Sequence, residues 1–134
     1  MASADLQDEE ARYALADLGY ALLGEGCLAD ARVLWEGLAA ADPRSEAPWR
    51  VLAVIAAREQ RWSEVEALAT AALGRRPGPA AFWLRAEARW RTGRYGEAAQ
   101  DLEAIARVVP RGEDDRIILR RAAAVHARLR RPGR

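Results

Sequence analysis

Few side chains in this sequence have types and spacings that could carry chemistry. Cys27 is the only cysteine and His126 the only histidine of the 134 residues, and they stand far apart in the chain. A helix N-terminus can lower the pKa of a thiol, but no base is predicted beside Cys27. A lone cysteine excludes an internal disulfide and a multi-cysteine zinc site, and His126 has no ligand partners at metal spacing. We expect Cys27 to be an unreactive small residue and His126 a surface residue.

The remaining polar residues do not form a catalytic pattern either. The carboxylates of Glu97, Asp101 and Glu103 alternate with arginines, which is typical of a solvated helix face. No glycine-rich phosphate loop follows a predicted strand, and no G-x-S-x-G nucleophile motif is present. The sequence therefore predicts a non-enzymatic protein that uses no metal or cofactor.

Composition limits the class of protein further. The formal net charge is +1, and every basic residue except His126 is an arginine, which excludes a globally basic nucleic-acid binder. The acidic start MASADLQDEE lacks the apolar stretch of a signal peptide. The longest apolar run, Val51 to Ala57, is too short to span a bilayer. Alanine and arginine favour helices, so we expect one helical, cytoplasmic domain.

The sequence contains an internal repeat, which determines where its side chains lie in the fold. Prolines recur with spacings of 34 and then 33 residues, at Pro43, Pro77 and Pro110. A helical stripe of small or apolar residues at i, i+4 and i+7 precedes each proline, beginning at Ala31, Val65 and Ala98. Upstream of each stripe lies a second helix, anchored by Leu15, Trp49 and Trp83. Each copy is therefore predicted to be a pair of helices that ends at a proline.

The third copy is one residue shorter than the others. We attribute the difference to a residue missing from the turn near Thr92 and Gly93. An alternative anchor, Phe82 instead of Trp83, would rotate the face that this helix presents. With Trp83 as the anchor, Glu87 occupies a position where the repeat usually has a small residue.

The pattern resembles the tetratricopeptide repeat, W-x2-L-G-x2-Y, then A-x3-F, then P over 34 residues. Trp49 with Leu52, Leu18-Gly19, Ala31-x3-Trp35 and the segment Gly93 to Ala98 carry the resemblance. It implies an all-α, right-handed α-solenoid of three helix pairs and a C-terminal capping helix. The units are an acidic leader at 1–11 that extends the first helix from near Ser3 or Asp5, three repeats at about 12–45, 46–78 and 79–112, and a capping helix with a basic tail at 113–134. The cap has an apolar stripe at Ile118, Ala122, Val125 and Leu129.

The tryptophans fit a packing role in this fold. Trp35, Trp49, Trp62 and Trp83 fall at predicted helix contacts, where bulky rings fill space between alanine-rich helices. Trp90 lies at the end of the helix whose phase depends on the choice of anchor.

The resemblance also implies a binding surface, because the first helix of each pair lines a concave groove. On this basis the expected partner-binding residues are Tyr13, Ala16, Tyr20, Leu23, Ala47, Arg50, Val54, Ala57, Ala81, Leu84, Ala88 and Arg91. Most are apolar, and an exposed apolar concavity usually marks a binding site. Repeat proteins that clamp acidic chaperone tails use lysine, arginine and asparagine here, but this chain has no lysine or asparagine. We expect an extended peptide with hydrophobic anchors and few charges.

A small three-repeat protein with this groove resembles the type III secretion chaperones that hold translocator proteins, some of which dimerise through their leading helices. That resemblance implies a protein partner and a possible homodimer. A co-chaperone, a scaffold subunit of a larger assembly and a homo-oligomeric structural protein are the alternatives.

The arginine-rich C-terminus raises a separate hypothesis of contact with nucleic acid or an anionic membrane surface. Its arginines are Arg116, Arg120, Arg121, Arg128, Arg130, Arg131 and Arg134. The acidic residues Glu113, Asp114 and Asp115 precede them and no aromatic side chain interleaves for base stacking. We therefore favour a soluble capping helix over nucleic-acid or membrane binding.

Overall fold

The computed structural model describes residues 8–129, and within them the chain forms seven α-helices and no β-strand. We number the helices in chain order: α1 Glu9–Gly24, α2 Leu28–Ala41, α3 Glu46–Arg58, α4 Trp62–Arg75, α5 Pro79–Arg91, α6 Tyr95–Ile105 and α7 Glu113–Leu129. Consecutive helices pack as three antiparallel pairs, α1 with α2, α3 with α4 and α5 with α6, and α7 packs on the last pair. The molecule is an all-α solenoid, as the repeat predicts.

The first described helix begins with a side-chain cap. The Asp8 carboxylate accepts hydrogen bonds from the backbone N–H groups of Glu10 at 2.8 Å and Ala11 at 3.4 Å, so Asp8 is the N-cap and α1 begins at Glu9. The predicted start near Ser3 or Asp5 falls on residues that the structure does not describe. Residues 1–7 of the leader and residues 130–134 of the tail lie outside the described part of the chain.

The three turns that join the helices of each pair are equal in length. Each has one residue with positive φ, namely Gly26, Gln60 and Gly93. Each is closed by the same backbone hydrogen bond, from Cys27 N to Leu22 O, from Arg61 N to Ala56 O, and from Arg94 N to Arg89 O. The prediction of a residue missing near Thr92 and Gly93 is therefore wrong.

The missing residue lies between the second and third pairs. Four residues, 42–45, connect α2 to α3, whereas three, 76–78, connect α4 to α5. Counting back from the equal turns aligns Phe82 with Leu15 and Trp49, so Phe82 is the anchor of α5. The small residue expected after the anchor is then Ala86, equivalent to Gly19 and Ala53, and the departure at Glu87 disappears.

Three clusters of buried side chains hold neighbouring elements together. The first joins the first pair to α3 and includes Leu23, Trp35, Leu38, Val51 and Ile55. The second joins α3 and α4 to α5 and includes Ala53, Val65, Ala69, Leu84 and Ala88. The third joins α5 and α6 to α7 and includes Ala86, Leu102, Ile105 and Ala122. Each cluster is completed by side chains of the next helix pair or of the cap, as expected for a solenoid.

The rings largely take the predicted packing positions. Trp35 is buried, and Trp49, Trp62 and Trp83 are half-buried against the first, second and third clusters respectively. Trp90 is exposed. Leu18 in α1 is also exposed, because no earlier helix pair covers the outer side of the first repeat.

One predicted solvated residue is buried instead. Asp101 on α6 is only 2% exposed, and it lies between two arginines of α5. Arg85 Nη2 donates to Asp101 Oδ1 at 2.8 Å, and Arg89 Nη1 donates to Asp101 Oδ2 at 2.9 Å. Arg85 and Arg89 occupy the positions of Leu18 and Leu22 in the first repeat. The third pair is therefore joined partly by buried charge where the first repeat has leucines.

Candidate protein-binding groove

Helix α5 contacts both α3 and α7, so these odd-numbered helices form one layer of the solenoid, and we call the face along α1, α3, α5 and α7 the groove. Two pockets open on it, one near each end. The N-terminal pocket, of about 390 Å³, is lined by Glu9, Arg12, Tyr13, Ala16, Asp17, Tyr20, Trp35, Leu38, Asp42, Ser45, Ala47 and Pro48. The C-terminal pocket, of about 400 Å³, is lined by Trp83, Ala86, Glu87, Trp90, Arg91, Ala98, Leu102, Val125 and Leu129.

The N-terminal pocket gathers four of the predicted groove residues: Tyr13, Ala16, Tyr20 and Ala47. Tyr20 is 45% exposed, and its ring meets that of buried Trp35 edge-on, with 4.9 Å between centroids. The Tyr13 hydroxyl donates to Glu9 Oε1 at 3.2 Å. The exposed tyrosines thus form one wall of this pocket, and the buried Trp35 ring packs against Tyr20 on its core side.

Arg50 connects the first two repeats across the groove. Its Nε donates to Glu46 Oε2 at 2.9 Å, and its guanidinium lies beside Tyr20 of the first repeat. Burial lowers the pKa of Arg50, but Glu46 and Tyr20 outweigh that effect and leave the pKa above its ordinary value. Arg50 is therefore a fixed cation whose charge Glu46 balances.

The other predicted residues of α3 belong more to the core than to the groove surface. Val54 is half-buried between the first and second clusters, and Ala57 is half-buried against the second. Neither lines the N-terminal or the C-terminal pocket, and both present little side-chain surface to a partner.

Four predicted groove residues are buried and lack the exposure that partner contact needs. Leu23 and Leu84 are each 9% exposed, while Ala81 and Ala88 are almost fully covered. Leu23 belongs to the first cluster, whereas Leu84 and Ala88 pack against α3 and α4 in the second. The residues of α5 were assigned with Trp83 as the anchor, and the structure uses Phe82. The helix is therefore rotated so that the predicted face points to the preceding repeat.

The same rotation places residues in the groove that the prediction missed. Trp83, Glu87 and Trp90 line the C-terminal pocket together with Arg91, which was predicted. Trp90 is 46% exposed and meets Tyr95 edge-on, with 4.5 Å between ring centroids. Arg91 lies over Trp62 at 5.1 Å and is 3.7 Å from the Glu87 carboxylate. Aligning Gly93 with Gly26 and counting backwards would have identified these residues from the sequence.

A third, polar pocket of about 320 Å³ lies where α3, α5 and α7 begin. Its charged lining residues are Glu46, Arg50, Arg76, Arg111, Asp114 and Asp115. Three arginines face three carboxylates, so this pocket has no dominant charge.

Cys27 and His126, the residues considered above for catalysis or metal binding, lie in different parts of the fold. Cys27 is exposed at the turn before α2. His126 of α7 lies far from Cys27 in the chain, and its Nε2 is 3.1 Å from Glu103 Oε1 of α6. Within residues 8–129 there is no cluster of three or more potential metal-ligating side chains, and no helix there is long and apolar enough to cross a membrane.

The arginines of the cap lie on α7 up to Arg128, and the last three lie outside the described residues. Arg120 Nη2 is 3.1 Å from Glu113 Oε1 on the same helix. Arg116, Arg121 and Arg128 are exposed. Val125 and Leu129 on the same helix line the C-terminal pocket, so α7 has a groove side and a charged outer side.

No protein-family model matches the sequence, and no curated protein matches it. The fold, in contrast, is shared with solved tetratricopeptide-repeat structures. The type III secretion translocator chaperone SycD of Yersinia enterocolitica superimposes with a TM-score of 0.79 at 15% identity, covering 90% of each chain. SycD in an alternative dimer gives a TM-score of 0.78 at 15% identity, covering 90% of this chain and 92% of SycD.

A second kind of neighbour is a peptide complex. The first tetratricopeptide-repeat domain of Spaghetti (RPAP3), bound to the HSP90 peptide SRMEEVD, superimposes with a TM-score of 0.71 at 20% identity. The match covers 90% of this chain and 96% of that domain. The chain therefore has the tetratricopeptide-repeat fold.

Proposed function

We propose that this protein is a non-catalytic protein-binding module that holds an extended segment of a partner in its groove. The observation that carries the proposal is the exposure of Tyr20 and Trp90 in pockets at opposite ends of one concave face. Large aromatic side chains on a surface with two pockets are typical of protein interfaces. The fold shared with SycD and with the peptide-bound RPAP3 domain supports the same role.

Within this role we favour a chaperone for an export substrate of the type III secretion class. A chaperone of this class keeps an aggregation-prone segment out of water, and the C-terminal pocket has apolar walls suited to such an anchor. A co-chaperone or a scaffold subunit would use the same groove, so the binding experiment below applies to all three.

The proposal is tested with selected peptides. Peptides are selected on the purified chain from a random phage-displayed library, and the consensus peptide is labelled for fluorescence anisotropy. We expect Tyr20→Ser and Trp90→Ser each to weaken its binding by about tenfold or more, because aromatic residues dominate binding energy at interfaces. Val33→Ser is the matched control, since Val33 is 70% exposed on outer helix α2. Equal affinities for all four proteins would refute the groove assignment.

Two comparisons separate the proposal from its alternatives. The peptide SRMEEVD, which occupies the RPAP3 domain, is expected to bind weakly, because lysine and asparagine are absent from this chain. Light scattering of the purified chain distinguishes a free groove from one covered by a second copy. If the chain is a dimer and Tyr20→Ser converts it to a monomer, the groove serves homo-oligomerisation and not peptide binding.

A further inference from the structure

The two ends of the groove differ in charge. The N-terminal pocket is lined by the carboxylates of Glu9, Asp17 and Asp42 and by one arginine, Arg12. The C-terminal pocket has one residue of each sign, Glu87 and Arg91. The sequence predicted a groove with few charges, but this pocket has an excess of negative charge.

The negative charge is available to a ligand. Among residues 8–129, neither Asp17 nor Asp42 has an ion pair or a side-chain hydrogen bond. Arg50 lies beside Tyr20, but its charge is balanced by Glu46 at 2.9 Å. Glu46 also stands in the first turn of α3, where it offsets the positive end of that helix. Arg50 therefore adds no free positive charge to the pocket, and Arg12 is the one cation among the residues that line it.

The aromatic wall of the pocket adds a second attraction for a cation. Tyr13 and Tyr20 are both exposed there, and the face of an aromatic ring attracts ammonium and guanidinium groups. The chain stacks its own arginines on rings at Trp49, Phe82 and Trp62. None of those pairs uses Tyr13 or Tyr20.

We propose that the N-terminal pocket binds a lysine or arginine side chain of the segment held in the groove. This inference rests on the proposed function and adds a chemical requirement to it. The methylene stem of the basic residue packs on the tyrosine rings, while its charged end reaches Asp17 and Asp42. An acidic side chain is excluded from this end by repulsion from the same carboxylates. The partner segment therefore has a basic residue at one end and a bulky apolar residue at the other.

The experiment uses the full chain and the peptides selected on it. We expect a lysine or arginine at one fixed position of the consensus. Replacing Asp17 and Asp42 together by asparagine is expected to weaken binding of the consensus peptide by about fivefold or more. The matched control replaces the exposed residues Glu25 and Glu36 by glutamine, which changes the net charge equally outside both pockets. The control is expected to stay within about twofold of wild type.

A charge exchange makes the test specific. The double variant Asp17→Arg with Asp42→Arg is expected to prefer a peptide whose basic residue is replaced by glutamate. Circular dichroism confirms that each variant keeps its helices. A consensus without a basic residue, or asparagine variants that bind as wild type does, would overturn this inference while leaving the proposed function intact. A failure to select any peptide sensitive to Tyr20→Ser or Trp90→Ser would overturn both.

Discussion

At the scale of single residues, Gly19 sets how closely the first two helices approach. A Cβ atom at Gly19 would lie 2.6 Å from Trp35 Nε1 and 2.9 Å from Leu34 Cδ2. The Trp35 ring is fully buried and supports Tyr20 in the N-terminal pocket. Trp35 Nε1 has no hydrogen-bond partner, so the ring is held by shape and packing alone.

Gly19→Ala is therefore expected to destabilise the protein. The added methyl group forces the buried ring or α1 to shift, and such overpacking lowers the free energy of unfolding by about 1–3 kcal/mol. Urea unfolding followed by circular dichroism measures the change. Gly37→Ala in α2 is the matched control, because a Cβ atom there meets nothing within 4 Å. That control should gain up to about 1 kcal/mol from better helix propensity, and a loss of similar size in both variants would refute the packing argument.

Helix period places Tyr13, Ala16 and Tyr20 on one face of α1, and in the structure they share a pocket with Ala47 of α3. The prediction from sequence misplaced Leu84 and Ala88, because one residue of uncertainty in register rotates a helix by about 100°. For the same reason the groove prediction omitted Trp83 and left the side of Trp90 open, although both line the C-terminal pocket. The burial of Asp101 could not be read from its spacing, since its partners Arg85 and Arg89 occupy positions where the repeat pattern has apolar residues.

At the scale of elements, the turns within each pair share one geometry but not one residue type. Gln60 has φ 58°, whereas the equivalent positions are Gly26 and Gly93. A side chain in this left-handed region is strained by its Cβ atom, and glycine is not. The second turn therefore retains strain that the other two avoid.

Gln60→Gly is expected to stabilise the protein by about 1 kcal/mol, because it relieves this strain. The reciprocal change Gly93→Gln should lower the free energy of unfolding by about 1–2 kcal/mol. Thermal unfolding of both variants measures the two effects. If Gln60→Gly unfolds at a lower temperature than wild type, the glutamine side chain provides a contact that outweighs its strain.

The contact between α5 and α6 depends on charge. Asp101 is buried, and it receives Arg85 and Arg89, whose side chains are 18% and 16% exposed. Arg89 also donates to Glu66 on α4 at 2.9 Å, and Arg85 to Thr70 at 3.3 Å. These arginines thus join three helices.

Asp101→Asn is expected to cost about 3 kcal/mol, because it leaves the largely buried Arg85 guanidinium without its carboxylate partner and Arg89 with Glu66 alone. Glu103→Gln on the same helix is the control, since Glu103 is exposed and its change should stay below about 1 kcal/mol. Replacing Arg85, Arg89 and Asp101 together by leucine should recover much of the loss. If the single and triple changes destabilise equally, packing and not charge holds these helices.

The all-α solenoid could be predicted from the sequence, because recurring prolines and apolar stripes indicate repeated pairs of helices. The connections were less predictable. A deletion can fall in either of the two loops of a repeat, and only the backbone hydrogen bonds of the turns showed that it lies between Arg75 and Pro79. Helix period and proline spacing do not contain that information.

At the scale of the whole molecule, ion pairs connect successive repeats along the outer helices. Arg32 on α2 binds Glu59 and Glu64 of the second repeat, with 2.6 Å to Glu64. Glu66 on α4 binds Arg89 and Arg94 of the third repeat. Because each unit of a solenoid is stabilised by its neighbours, these pairs help the repeats to unfold together.

The second of these links should depend on pH. Hydrogen bonds from Arg94 and Arg89 hold the pKa of Glu66 below its ordinary value of 4.5. A carboxylate with a lower pKa in the folded state contributes stability above the unfolded pKa, and that contribution disappears as the pH falls through the folded pKa. Near neutral pH the wild type should therefore be more stable than Glu66→Gln, and the difference should shrink below about pH 4.5. Glu36→Gln, an exposed change on α2, should show no such trend. Urea unfolding from pH 7 to pH 3 measures both differences.

The same variant tests whether this ion pair couples the second and third repeats. If it does, Glu66→Gln should broaden the urea unfolding transition at neutral pH, since the first two repeats and the third would no longer unfold as one unit. A Glu66→Gln difference that stays constant down to pH 3 would show that packing in the second cluster, and not this ion pair, joins the second repeat to the third.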